Sequence, residues 1–154
     1  MGSGQSVTRG QRVGLRPLSK DDATMSAGRC PGLVRGRAGA LSYAIVRSAD
    51  GAVIGEVKCG ANSPAHGWLT VRCIEVGERW RGWGYGSEAV RLLEAEATAV
   101  RFRADVDAGN GLALYFWLRL GYRPAGPGEV PGQPPRGIIT MVRVGRTENR
   151  EPRT

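Results

Sequence analysis

The stretch with the most chemical content is Arg81-Gly82-Trp83-Gly84-Tyr85-Gly86-Ser87-Glu88-Ala89-Val90, where three alternate glycines join a run of strand formers to a run of helical period. Glycine permits a tight turn and close approach of a ligand, while the first N–H groups of a helix lack intrahelical partners and favour an anion. A pyrophosphate could accept several backbone hydrogen bonds here, with the Ser87 hydroxyl as a further donor and Arg81 as a charged neighbour. That binding mode requires no metal. The spacing is neither the phosphate loop G-x-x-x-x-G-K-[ST] nor the dinucleotide turn G-x-G-x-x-G, so it does not point to either nucleotide class.

Acid–base candidates surround this turn. Glu75 lies in an otherwise apolar strand just before it, where a carboxylate needs solvent, a donor or a function to offset desolvation. Its roles are proton relay or amine binding, against a structural pairing with Arg72 or Arg79. Glu56 on the preceding strand is read chiefly as a surface ion-pair partner, with the acceptor cleft as the alternative if strand parity turns it there. His66, the sole histidine, sits in the Pro64-Ala65-His66-Gly67 connector, as a base, a water partner or a plain exposed side chain. Glu88 is read as a helix-terminal charge or an arginine partner. Trp80 and Trp83 either contact a ligand beside Arg81 or pack in the fold.

The elements that must hold these groups follow from patterning. A short strand is expected from Val13 to Leu18, with Ser19 as a helix cap, and any helix across residues 20–40 is short or broken by glycine and proline. Residues 43–46 and 53–57 form a hairpin about Asp50-Gly51, and residues 68–76 a central strand. Without a bulge, that strand places Leu69, Val71, Cys73 and Glu75 on one face. Val90, Leu93, Ala97 and Val100 then fall at helical spacing, Phe102, Ala104 and Val106 alternate as a strand, and Leu112 to Leu120 form an apolar helix that Gly121 ends in left-handed geometry. Tyr122 begins an extended segment, residues 124–135 make a glycine- and proline-rich loop, and residues 138–142 return as the last strand. Early hairpins and a late strand-helix-strand-helix unit define a mixed α/β or α+β domain. The expected organisation is one domain over residues 12–145, with flexible ends at 1–11 and 146–154.

Size and composition narrow the class. A chain of 154 residues with 41% hydrophobic residues suits one compact domain, and no apolar run approaches the ~20 residues of a spanning helix. The first residues lack the apolar centre of a secretory signal, so a cytoplasmic setting and no membrane partner are expected. Cys30, Cys59 and Cys73 are too few and too widely spaced for a disulfide framework or metal knuckles, and are read as buried free thiols. The net charge of +8 suits a phosphate-bearing ligand, but the arginines are scattered and no recognition motif for nucleic acid accompanies them.

The segment Arg81-Gly82-Trp83-Gly84-Tyr85-Gly86 resembles the acyl-coenzyme-A motif [Q/R]-x-x-G-x-[G/A] of the GCN5-related N-acetyltransferase (GNAT) family, nearest to the branch of ribosomal-protein N-terminal acetyltransferases. Asn110-Gly111-Leu112-Ala113 and Gly121-Tyr122 resemble that family's later N-x-x-A…G-[F/Y] segment, and the element order agrees from about Leu15 to Val142. The resemblance implies the GNAT acyl-CoA N-acyltransferase fold: a central mixed, mostly antiparallel sheet flanked by helices. It also implies acetyl-CoA as co-substrate and no metal. The backbone at Arg81, Gly82, Trp83, Gly84, Tyr85, Gly86 and Ser87 would take the pyrophosphate. Main-chain groups from Ile74 to Val76 would take the pantetheine arm, Asn110 would lie near that arm, and the following helix, with Trp117, would pack close to its thiol end.

The implied reaction is attack by a neutral amine on the acetyl thioester, with alignment, proton removal, oxyanion stabilisation and support of the leaving sulfur as the enzyme's tasks. Many family members carry a tyrosine seven residues after the motif asparagine as an acid near the sulfur; here that position is Trp117, whose indole donates a hydrogen bond but is no general acid. Tyr115 is the nearest tyrosine, though about 200° away around a helix. The catalytic candidates are thus Glu75, His66 and Tyr115. The acceptor is an amine-bearing small molecule or a protein N-terminus. A homodimer would cover exposed strand edges. The competing readings are a catalytically weak acyl-CoA-binding or regulatory module, motivated by Trp117, and a basic nucleic-acid-binding protein.

Overall fold

The computed structural model describes residues 8–9, 12–18, 40–61, 65–97, 99–132 and 134–145. Among them are eight strands: β1 (Thr8–Arg9), β2 (Val13–Pro17), β3 (Ala40–Arg47), β4 (Val53–Ala61), β5 (Trp68–Val76), β6 (Arg101–Asp107), β7 (Arg123–Pro124) and β8 (Ile138–Val144). Two helices, α1 (Tyr85–Glu96) and α2 (Gly111–Arg119), accompany them, with a 3-10 turn at Glu78–Trp80. The expected cap at Ser19, the elements of residues 20–39 and Cys30 lie outside the described residues.

Contacts divide the chain into two compact units, one of residues up to Cys59 together with Arg72–Ala97, the other of Gly60–Val71 together with residues from Thr98 onward. β4 and β5 contribute to both.

In the first unit the strand order runs β1-β2-β3-β4-β5. β1, which no sequence signal announced, pairs antiparallel with β2, and β2 pairs antiparallel with β3 from Val13↔Arg47 to Pro17↔Tyr43. The β3–β4 hairpin turns as its Asp-Gly pair predicts. Gly51 has a φ of 73°, Arg47 N donates to Ala52 O at 2.8 Å, and Asp50 Oδ1 accepts from Ala52 N at 3.2 Å. β4 runs four residues beyond the expected end at Val57, because alternation continues through Cys59. α1 packs on β2 and buries Ala89, Val90 and Leu93, each worth up to about 1–3 kcal/mol of apolar burial. The helix stops at Glu96 with Ala97 already extended at φ −72° and ψ 140°. Val100 therefore lies beyond the helix that its spacing suggested, and threonine and valine after Ala97 offer little intrinsic resistance to that break.

Cys59 is a buried free thiol, whereas Cys73 is disulfide-bonded, contrary to the expectation of three free thiols. Cysteine count and spacing alone do not exclude a bridge. Burial pushes the Cys59 thiol up to about 12, outweighing the nearby Arg72. At pH 8 the thiolate fraction is then on the order of 10⁻⁴. Native protein should therefore resist a thiol reagent at Cys59 and react there within minutes once denatured. Rapid stoichiometric labelling of native Cys59, read by peptide mass mapping, would contradict the burial.

The second unit carries β5, β6, β8 and β7 in that spatial order. β5 and β6 run parallel from Trp68↔Arg101 to Val71↔Ala104, and Trp68, Leu69, Thr70 and Val71 are all buried, as a strand covered on both faces requires. β6 pairs antiparallel with β8 along its length, and β8 with β7. α2 packs on β6, with Trp117 5% exposed and its ring 4.7 Å from that of Tyr122. Gly121 takes the expected left-handed geometry at φ 93°. The glycine- and proline-rich loop is fastened by Arg123, which grips Glu129 through both guanidinium ends. That pairing, with the Gly126 N–H, holds the Glu129 carboxyl down to about 2.

Candidate active site

The glycine turn lies wholly in the first unit, between the end of β5 and α1. Gly82 and Gly84 have φ of 84° and 83°, a left-handed geometry costing about 1–2 kcal/mol for other L-residues. Gly84 is the N-cap of α1. Among the described residues no side chain caps this helix, and the N–H groups of Tyr85, Gly86 and Ser87 meet no acceptor. Their unmet donors, at the positive end of a three-turn helix, fit an anionic group that brings its own oxygens.

Glu88 stands in the first turn, where a free carboxylate would oppose this field. Its carboxylate is turned away: Oε2 accepts from the N–H groups of Arg12 and Val13 at 3.1 and 2.8 Å, and Oε1 lies 3.9 Å from Arg12 Nε. Both readings of Glu88, as helix-terminal charge and as arginine partner, are thus met, and β2 is tied to the helix start. Arg12 itself was not singled out from the sequence. Its Nη1 donates to Trp83 O at 2.6 Å, and its guanidinium carbon stands 5.2 Å from the Tyr85 ring centroid. Separated from Trp83 by 71 positions, it carried no local signal.

Arg81 turns back onto β5. Its Nε donates to Val76 O at 2.8 Å and its Nη2 lies 3.8 Å from Glu75 Oε1. Arg81 is therefore an ion-pair partner of Glu75, one that the sequence reading did not name. Arg79 instead stacks on Trp80 at 4.6 Å, as does Arg47, and Trp80 meets Tyr85 edge-on. Trp80 thus packs within a cation–aromatic stack, while Trp83 is 64% exposed at the turn. Glu56 is 1% exposed, which overturns its reading as a surface ion-pair partner; strand parity on β4 turns it inward, and one sequence does not fix that parity.

Ile74 and Val76 are half-buried near the end of β5, and Ser87 is half-buried in the first turn of α1. In the second unit, Asn110 is the N-cap of α2, its Oδ1 accepting from Ala113 N at 3.1 Å. Trp117 is closed into an aromatic cluster with Phe116 and Tyr122. Tyr115 is 59% exposed, with Arg119 over its ring. His66 is exposed in the turn before β5, whereas Glu75 is the penultimate residue of that strand. Those two candidates stand at opposite ends of one extended element. Among the described residues no group of three or more His, Cys, Asp or Glu is placed to hold a metal ion, and no helix is long and apolar enough to cross a membrane.

A mixed, mostly antiparallel sheet with two helices and a glycine turn opening α1 defines the acyl-CoA N-acyltransferase fold. The model of the acetyltransferase (GNAT) family matches residues 17–122, and the chain belongs to that family. It is an acyl-CoA-dependent N-acyltransferase, with acetyl-CoA as the family's co-substrate. Among solved structures it is similar to a GCN5-related N-acetyltransferase from Brucella melitensis, at 18% identity and a TM-score of 0.68 over 91% of this chain and 79% of that one. It is also similar to the ribosomal L7/L12 α-N-protein acetyltransferase RimL, at 14% identity and a TM-score of 0.64 over 90% and 98% of the two chains. A comparison with curated proteins finds no match.

Proposed function

We propose that the protein transfers the acetyl group of acetyl-CoA directly to a primary amine, on a small molecule or at the N-terminus of a peptide or protein. The observation that carries this reading is the turn at residues 82–86, where Gly82 and Gly84 are left-handed and three N–H groups leading into α1 meet no acceptor among the described residues. In this reading the amides of residues 82–87 bind the pyrophosphate and the main chain from Ile74 to Val76 aligns the pantetheine arm. The similarity to RimL supports a protein N-terminus as one acceptor class.

Transfer requires the amine lone pair to form a C–N bond at the acetyl carbon, the C–S bond to break, and the nitrogen to lose a proton as the sulfur leaves. Glu75, with its side chain 12% exposed at the end of β5, suits the attraction of an ammonium group and relay of its proton through water. Tyr115 and His66 are exposed enough to exchange protons with water. Trp117, buried in its aromatic cluster, serves packing and supplies no proton.

The test is release of free CoA thiol from acetyl-CoA over a panel of small amines and N-terminal peptides. We expect release that saturates with acetyl-CoA and depends on the amine. CoA binding without turnover across the panel would favour the regulatory module that Trp117 suggests. Absence of CoA binding, with salt-resistant binding of RNA or DNA, would favour the nucleic-acid reading.

A further inference from the structure

The motif arginine and the arginine at the turn are different residues. Arg81 is engaged with the end of β5 through Val76 O and Glu75. Arg12, delivered by the start of β2, reaches the turn itself: Nη1 bonds to Trp83 O, and Nη2 stands 3.0 Å from the point where a Cβ on Gly84 would lie. Its backbone cannot drift, because Glu88 accepts from the N–H groups of both Arg12 and Val13. Its side chain is half exposed, and Trp83 O takes only one of the five guanidinium donors. Among the described residues the remaining donors meet no acceptor within hydrogen-bond distance.

We infer that Arg12 is the cation of the phosphate turn: it fixes the turn through Trp83 O and presents its remaining donors to the pyrophosphate of the acyl donor. This rests on the reading of residues 82–87 as the pyrophosphate site. The device resolves two demands. A first-turn glutamate opposes an anion at the helix start, yet here Glu88 is spent on holding the arginine that favours one. A planar guanidinium can also bond a carbonyl and phosphoryl oxygens at the same time, which a lysine ammonium does with less geometric control.

The experiment is calorimetric titration of the full chain with CoA and with 3′-dephospho-CoA, for wild type, Arg12→Gln and Arg12→Lys, at two salt concentrations. Glutamine and lysine both keep a donor for Trp83 O, so they separate the charge from the strap. We expect Arg12→Gln to weaken both ligands by the same factor, about tenfold, and to lessen the loss of affinity on adding salt. Arg12→Lys should recover part of the affinity and all of the salt response. A purely structural arginine would leave the salt response unchanged. Equal affinity in wild type and Arg12→Gln would overturn the inference. A loss that disappears with 3′-dephospho-CoA would overturn it too, since Arg12 would then serve the ribose phosphate. Wild type that binds neither ligand would instead remove the pyrophosphate site, and the inference with it.

Discussion

Gly84→Glu should abolish measurable CoA binding, a loss of at least about 100-fold, or about 3 kcal/mol, while lowering the melting temperature by only a few degrees. Three effects act together. The residue sits at φ 83°, where any Cβ costs about 1–2 kcal/mol. The new carboxylate arises beside Arg12 Nη2, a flexible end that can move to meet it, so the variant carries its own anion where the pyrophosphate would go. It also repels the phosphates directly at the start of α1. Gly84→Ala separates these contributions, because it shares the backbone strain without the charge, and should lose no more than about tenfold. Titration of both variants, with thermal melts to show that they fold, makes the measurement. Unchanged affinity in Gly84→Glu would remove the turn from the binding site.

Gly55→Ala should be the most destabilising small change in the first unit, costing about 3 kcal/mol and lowering the melting temperature by roughly 6–12 °C. A Cβ on Gly55 would overlap the carbonyl oxygen of Glu75 and stand 3.1 Å from Val76 Cα. Both obstacles are backbone, so no rotamer change relieves them. The strands would have to part where Gly77 N donates to Ile54 O at 2.7 Å. Because β5 leads through this point into the glycine turn, CoA affinity should fall alongside stability. A denaturant titration indistinguishable from wild type would show that the close approach is absent in solution.

Much of the fold was legible because its signals are local. Asp50-Gly51 specified a hairpin through the left-handed geometry that glycine accepts, and Gly121 ended α2 for the same reason. Alternation through Phe102, Ala104 and Val106 marked β6, whose buried residues are those three. The turn at residues 82–86 was legible because glycines at that spacing have few other uses between a strand and a helix. Signals failed where the deciding contact is distant or the pattern is ambiguous. Val100 fits helical spacing, yet α1 ends at Glu96 and Ala97 is already extended. The short strand β1 has no pattern of its own and exists by pairing with β2.

The candidate site divides along the same line. Residue type and order alone pointed to the family and the donor class, and the proposed phosphate-binding backbone rests on the same local signal, glycines and a helix start within one short segment. Tertiary structure alone decided how the charges are spent: Arg81 on β5, Glu88 on the amides of β2, Arg12 at the turn, Glu56 inward. The reason is geometric. A turn's conformation is fixed by neighbours in the chain, whereas the partner of a long charged side chain is set by strand pairing and helix packing that bring distant residues together.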